Sequence, residues 1–148
     1  MIPEKELIRR EYTLRELRLP TDTKLTKQSM LRWVALSLGL LSPDETRQSV
    51  LPVLDSFIAL QVKGTAPTVA ELATASGQPE KVVRYHLQRL QALGIAEEQK
   101  RRYRFVMDSS SNKLSLAKTF KQHYAETLVQ SLSSVEAALA ELQRAYEG

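Results

Sequence analysis

Over most of this chain apolar residues recur at helical spacing, and in one short stretch they alternate instead. From Thr26, a capping residue, to Gly39, the positions Met30, Leu31, Trp33, Val34, Leu36 and Leu38, with Leu41 just beyond, crowd both sides of a helix. That predicts an element buried nearly all round. A second helix start is expected at Ser42–Pro43, with Asp44 and Glu45 suited to a first turn. Pro52 marks a bend or a fresh start, followed by apolar Val53, Leu54, Phe57, Ile58, Leu60 and Val62 and a stop at Gly64. Thr68 and Glu71 have the spacing of a capping box on a short helix whose inward face is Val69, Leu72 and Ala73 and whose end is Gly77. Pro79 suits the first turn of the next helix, in which Val83, Leu87 and Leu90 recur until Gly94.

The alternating stretch follows. IAEEQ and RRYRFVM flank Lys100 and Arg101, with Tyr103 and Phe105 alternating with Arg102 and Arg104, as in a half-buried hairpin. Residues 108–112, DSSSN, read as a polar linker. Beyond them Tyr124, Leu128, Leu132, Val135, Leu139, Leu142 and Tyr146 are spaced 4, 4, 3, 4, 3 and 4, close to the 3.5-residue seam of a coiled coil. Such a stripe either pairs with another chain or folds back on its own; the regular spacing and the serine linker favour pairing. Residues 1–25 read two ways. Leu7, Glu11, Leu14 and Arg18 fit one side of a charged helix, the preferred reading, while YTLRELRLP fits an extended segment stopped by Pro20.

Composition narrows the chemistry. Hydrophobic residues make up 43% and charged ones 26% of 148 residues, the balance of a globular chain. There is no cysteine, and the only histidines, His86 and His123, are far apart. Thiolate and disulfide chemistry is therefore excluded, and no metal site or cofactor is expected. No Gly-rich phosphate loop or catalytic spacing is present, which speaks against an enzyme. No stretch has the length of a membrane span, and the charged start MIPEKELIRR does not suit a signal peptide, so a cytoplasmic protein is expected.

Charge distribution matters more than the formal net charge of +4. Lys plus Arg against Asp plus Glu is 10 to 8 for residues 1–63, 7 to 4 for 64–107, and 4 to 5 for 108–148. The middle segment is the most basic, and four of its seven cations lie within Lys100–Arg104.

Helix, short helix, tight turn, helix, two-stranded hairpin is the order of a winged helix-turn-helix. The stretch TVAELATASGQPEKVVRYHLQRLQALGIAEEQKRRYRF, above all VVRYHLQRLQALGI, resembles the DNA-binding core of the ArsR- and MarR-like winged-helix regulators of bacteria and archaea. The likeness covers about residues 50–107. It implies a winged helix-turn-helix with a β-hairpin wing (50–107); the spacing on either side adds an N-terminal helical extension (1–49), the linker and a long C-terminal dimerisation helix (113–148), a mostly α fold in all. Metal sensing, common among ArsR-like proteins, does not carry over, because no matching ligands occur.

With Val83, Leu87 and Leu90 packed inward, Glu80, Lys81, Arg84, Tyr85 and Gln88 fall on the outward, N-terminal part of the second helix, where base edges of double-stranded DNA come within reach. Arg84 has the donors for guanine and Gln88 the amide for adenine. Thr68 and the helix start behind it suit a phosphate. Lys100, Arg101, Arg102 and Arg104 suit backbone phosphates or a minor groove. The plain alternative is a solvated charged face, in which Arg89 joins Lys81 and Arg84. Glu97 and Glu98 count against phosphate contact at the first strand, and His86 reads as a satisfied interface histidine. The expected function is a homodimeric, sequence-specific transcription regulator. The alternative is a winged-helix protein–protein adaptor that uses the apolar region 26–62. No effector can be named.

Overall fold

The structure is a computed structural model that describes residues 3–18, 26–107 and 113–148. Pro20 and the linker at 108–112 lie outside the described residues. In chain order the elements are α1 (Glu4–Leu7), α2 (Lys27–Ser37), α3 (Val50–Val62), α4 (Val69–Ser76), α5 (Glu80–Ala92), β1 (Ala96–Gln99), β2 (Arg102–Phe105), α6 (Leu116–Phe120), a π-helical turn (Lys121–Ala125) and α7 (Glu126–Glu147). Among the described residues the chain is mostly helical, with one two-stranded antiparallel sheet and a long C-terminal helix. No helix among the described residues is long and apolar enough to cross a membrane.

The N-terminal helix expected over residues 1–25 is confined to α1, and residues 8–18 are not helical. A helix there has no face to bury: Leu7, Ile8 and Leu14 are all more than half exposed. The segment instead spends its polar groups on tertiary partners. The Arg15 backbone N–H donates to Ser37 O at 2.8 Å, and its guanidinium donates to Leu36 O at 3.0 Å and Leu41 O at 2.7 Å. Leu36 and Ser37 are the last residues of α2 and Leu41 lies just beyond it, so Arg15 ties this segment to the end of that helix.

Thr26 starts α2 with a complete capping box: Ser29 N–H donates to its hydroxyl at 3.1 Å while Thr26 N–H donates to Ser29 Oγ at 2.9 Å. The helix is not buried all round. Leu31 and Ala35 are core, but Met30 and Val34 are 46% and 41% exposed. The helix start expected at Pro43 does not form; residues 42–49 are not helical, and Glu45 accepts there from Ser42 N–H at 2.9 Å. The next helix begins at Val50, and Pro52 sits inside its first turn, where a missing N–H removes no intrahelical bond.

One cluster of buried residues runs from Leu31 through Leu41, Val53, Phe57, Leu72, Val83, Leu87 and Leu90 to Phe105 and Tyr124. Residues 26–49 and the start of the C-terminal helix therefore share the core of residues 50–107. The hairpin closes one side of it, with Phe105 stacked on Phe57 at 4.5 Å between ring centroids. Tyr124, fully buried, packs edge-on against Tyr12 at 5.3 Å and donates its hydroxyl to Thr13 O at 3.0 Å. The C-terminal helix starts at Leu116, with Ser115 as its cap, rather than at 113.

Candidate nucleic-acid interface

The turn between α4 and α5 depends on Gly77, which ends α4 in the left-handed region at φ +71°. A side chain there costs about 1 kcal/mol or more. Only Gln78 separates it from Pro79, whose extended backbone caps α5. Along α5 the burial follows helical spacing: Val83 and Leu87 are fully buried and Leu90 is 2% exposed. Lys81, Arg84, Tyr85 and Gln88 are exposed on the other face, with Glu80 exposed in the first turn. Sequence spacing alone placed these residues, because a helix this regular leaves its faces no freedom.

Arg89 does not belong to that face. It is half-buried and donates to Leu40 O at 2.9 Å and Gly39 O at 2.5 Å, tying α5 to the chain just after α2. Its guanidinium also lies 5.5 Å from the Tyr85 ring centroid, a cation–π contact that holds the exposed ring in place. His86 is buried against Ser49, Nε2 2.9 Å from the hydroxyl, and its Nδ1 has no hydrogen-bond partner among the described residues. Burial, and then the neighbouring Arg89 charge, lower its pKa, against a smaller opposing pull from Glu45.

The hairpin pairs Ala96 with Phe105, Glu97 with Arg104, Glu98 with Tyr103 and Gln99 with Arg102. One face, carrying Tyr103 and Phe105, turns to the core; the other carries Arg102 and Arg104. Backbone amides of β2 help fix its pose. Tyr103 N–H donates to Pro67 O at 2.9 Å, and Phe105 N–H donates to Gln61 Oε1 at 2.9 Å. Burial, followed by Glu98, raises the Tyr103 pKa, while the charge of Arg84 lowers it. Arg84 on α5 and the inner edge of the hairpin thus belong to one electrostatic neighbourhood.

The hairpin glutamates and arginines are not equivalent. Arg104 is committed to Glu97 at 2.6 Å. Arg102 pairs with Glu71 at 3.3 Å and donates to Ala66 O at 2.8 Å. Lys100 and Arg101, at the tip, have no ion pair among the described residues and both adopt positive φ, 53° and 66°. A shallow concavity of about 320 Å³ lies on the outer face, lined by Ala66, Gln99, Lys100, Arg102 and Arg104.

The expected capping box at Thr68 forms only by half. Its hydroxyl accepts from Glu71 N–H at 3.2 Å, but the Glu71 carboxylate goes to Arg102. The start of α4, expected to suit a phosphate, therefore carries a carboxylate of its own. Glu71 and Gln61 are the positioning residues that the sequence reading missed. Their partners come from the hairpin, 31 and 44 residues away, so local spacing carried no signal.

Of the expected self-association stripe, Tyr124 is core and Leu128 half-buried. Leu132, Val135, Leu139 and Leu142 are 53–58% exposed and Tyr146 86%. Among the described residues no group of three or more His, Asp or Glu side chains is placed to hold a metal ion. No protein-family model, curated protein or solved structure matches the chain.

Proposed function

We propose that the chain is a dimeric, sequence-specific DNA-binding transcription regulator of prokaryotic winged helix-turn-helix type, cytoplasmic and without catalytic activity. In this reading α5 enters the major groove and the hairpin is the wing. The observation that carries it is the pairing of two features. Lys81, Arg84, Tyr85 and Gln88 stand exposed on a helix whose opposite face is locked into the core. At the tip of the hairpin that follows, Lys100 and Arg101 make no ion pair among the described residues. Arg84 and Gln88 read bases, each bidentate pair worth about 1–3 kcal/mol of discrimination, while Lys100 and Arg101 contact phosphates. Arg102 and Arg104 contribute field, their first partners being Glu71 and Glu97. Glu80 and Thr68 border the surface. The resemblance of residues 50–107 to ArsR- and MarR-like regulators points the same way.

Selection of bound sequences from a random DNA pool, followed by gel shifts at two salt concentrations, tests the reading. Binding weakens steeply with salt, Arg84→Ala relaxes preference at one base position, and Arg101→Ala weakens all sequences alike with a smaller salt slope. If neither substitution alters DNA affinity, the regulator reading falls. The exposure of Met30 and Val34 on α2 then favours the second reading, a protein–protein adaptor that docks through that helix.

A further inference from the structure

We propose that α7 pairs antiparallel with α7 of a second copy, about a two-fold axis at Ala137. The inference rests on the dimeric reading above and specifies its geometry. In heptad terms Leu132, Leu139 and Tyr146 occupy one core position, and Leu128, Val135 and Leu142 the other. From Leu128 onward the spacing is 4, 3, 4, 3 and 4, which reads the same in both directions. Reversing a second helix about Ala137 therefore sets Leu128 against the partner's Tyr146, Leu132 against the partner's Leu142 and Val135 against the partner's Leu139. Every knob has a counterpart.

Parallel pairing also matches the seam, so the flanks decide. On one flank stand Ser131, Ala138 and Ala145, all small; on the other stand Val129, Glu136 and Gln143, all larger. Antiparallel helices set like flank against like flank, so the small residues meet and the two backbones approach closely along that side. Parallel helices set small against large on both sides, with no opposite charges to join them across the seam. The one opposing feature is Glu136, which meets the partner's Glu136 near the axis. The seam with its flanks buries on the order of 1,200 Å² in total, the lower end of what stable interfaces bury.

The orientation sets the reach of the dimer. The two copies of Leu128 lie about 27 Å apart along the coil at 1.5 Å per residue, so the two α5–hairpin surfaces stand at opposite ends of it. That separation is on the scale of the ~34 Å between half-sites one helical turn apart. Parallel pairing brings both to the same end.

The chain has no cysteine, so single-cysteine variants of the full chain report the pairing directly. Leu132→Cys mixed with Leu142→Cys forms an intermolecular disulfide on mild oxidation. Leu142→Cys alone does not, because the partner's position 142 lies about 15 Å away along the coil, beyond the roughly 7 Å that a disulfide spans. Both positions are more than half exposed in the single chain, and circular dichroism checks that each variant is folded. Glu136→Gln tightens self-association about twofold in sedimentation, by removing one like-charge contact. A disulfide in Leu142→Cys alone, an unchanged dimer constant in Glu136→Gln, or a monomeric chain overturns the proposal. Gel shifts on the same samples separate this failure from that of the DNA reading. A monomer that still selects a DNA sequence overturns only the pairing; an antiparallel dimer indifferent to DNA supports the pairing and overturns the DNA reading.

Discussion

At the scale of single residues, His86 and Arg89 show how burial reassigns a polar side chain. His86 is 5% exposed, beside Ser49 and Arg89, and both burial and the arginine charge hold its pKa below the usual 6.5. The folded chain therefore favours the neutral ring more than the unfolded chain does. As pH falls below about 6.5 the unfolded state takes up the proton first, so the unfolded chain binds more protons and stability declines until the lowered folded pKa is passed. The stability is fully present above the unfolded value. Thermal unfolding is thus expected at a lower temperature at pH 5.5 than at pH 7.5, with the gap narrowed in His86→Gln. An equal gap in both proteins would show that other groups govern the acid side. Arg89 reads in the sequence as one more cation on a basic helix. Only the carbonyls of Gly39 and Leu40, brought to it by the fold, make it a tie between segments.

At the scale of elements, α5 was legible and the hairpin only partly so. The face of α5 follows from the spacing of Val83, Leu87 and Leu90, and the structure leaves Lys81, Arg84, Tyr85 and Gln88 on the opposite side. The hairpin's inward face was legible from alternation, but the fate of its charges was not, since Glu71 and Ala66 lie outside it. Its two-residue tip needs positive φ at both positions, a geometry that favours Asn and Gly; Lys100 and Arg101 stand there instead. Arg101→Gly relieves a left-handed side chain and is expected to stabilise the hairpin. The gain is about 0.5–1 kcal/mol after the entropy lost by glycine, read by denaturant unfolding. On the proposed function the same substitution weakens DNA binding at all sequences. Stabilisation with unchanged DNA binding would show that the tip cation does not contact DNA.

At the scale of the whole molecule, the N-terminal segment and the base of the C-terminal helix are tied together through Tyr124. Its hydroxyl bonds Thr13 O, 111 residues away, and its ring meets Tyr12 and Phe120. Gly94, at φ +86°, passes so close that a Cβ would lie 3.0 Å from His123 O and from the Arg10 guanidinium. The base of the C-terminal helix, the end of α5 and the N-terminal segment thus meet at one point. Tyr124→Phe leaves Thr13 O without that donor and is expected to cost about 1–2 kcal/mol in denaturant unfolding, with self-association unchanged because Tyr124 is not on the open part of the stripe. A loss of self-association without loss of stability would return Tyr124 to that stripe.

The sequence by itself determined the helices with a buried stripe, the turn at Gly77–Pro79, the two faces of α5 and the alternation of the hairpin. Each of these depends on residues within a few positions of one another, so local periodicity is enough to specify it. Tertiary structure decided the rest. It gave residues 8–18 a non-helical path, along which Arg15 bonds carbonyls at and just beyond the end of α2. It withheld the helix start at Pro43, which had no apolar face to bury. It moved Arg89 and Tyr124 from expected surfaces into the body of the fold, and it divided the basic hairpin into committed and open cations. For Arg15, Arg89, Arg102 and Tyr124 the deciding partner lies far along the chain, where spacing carries no information.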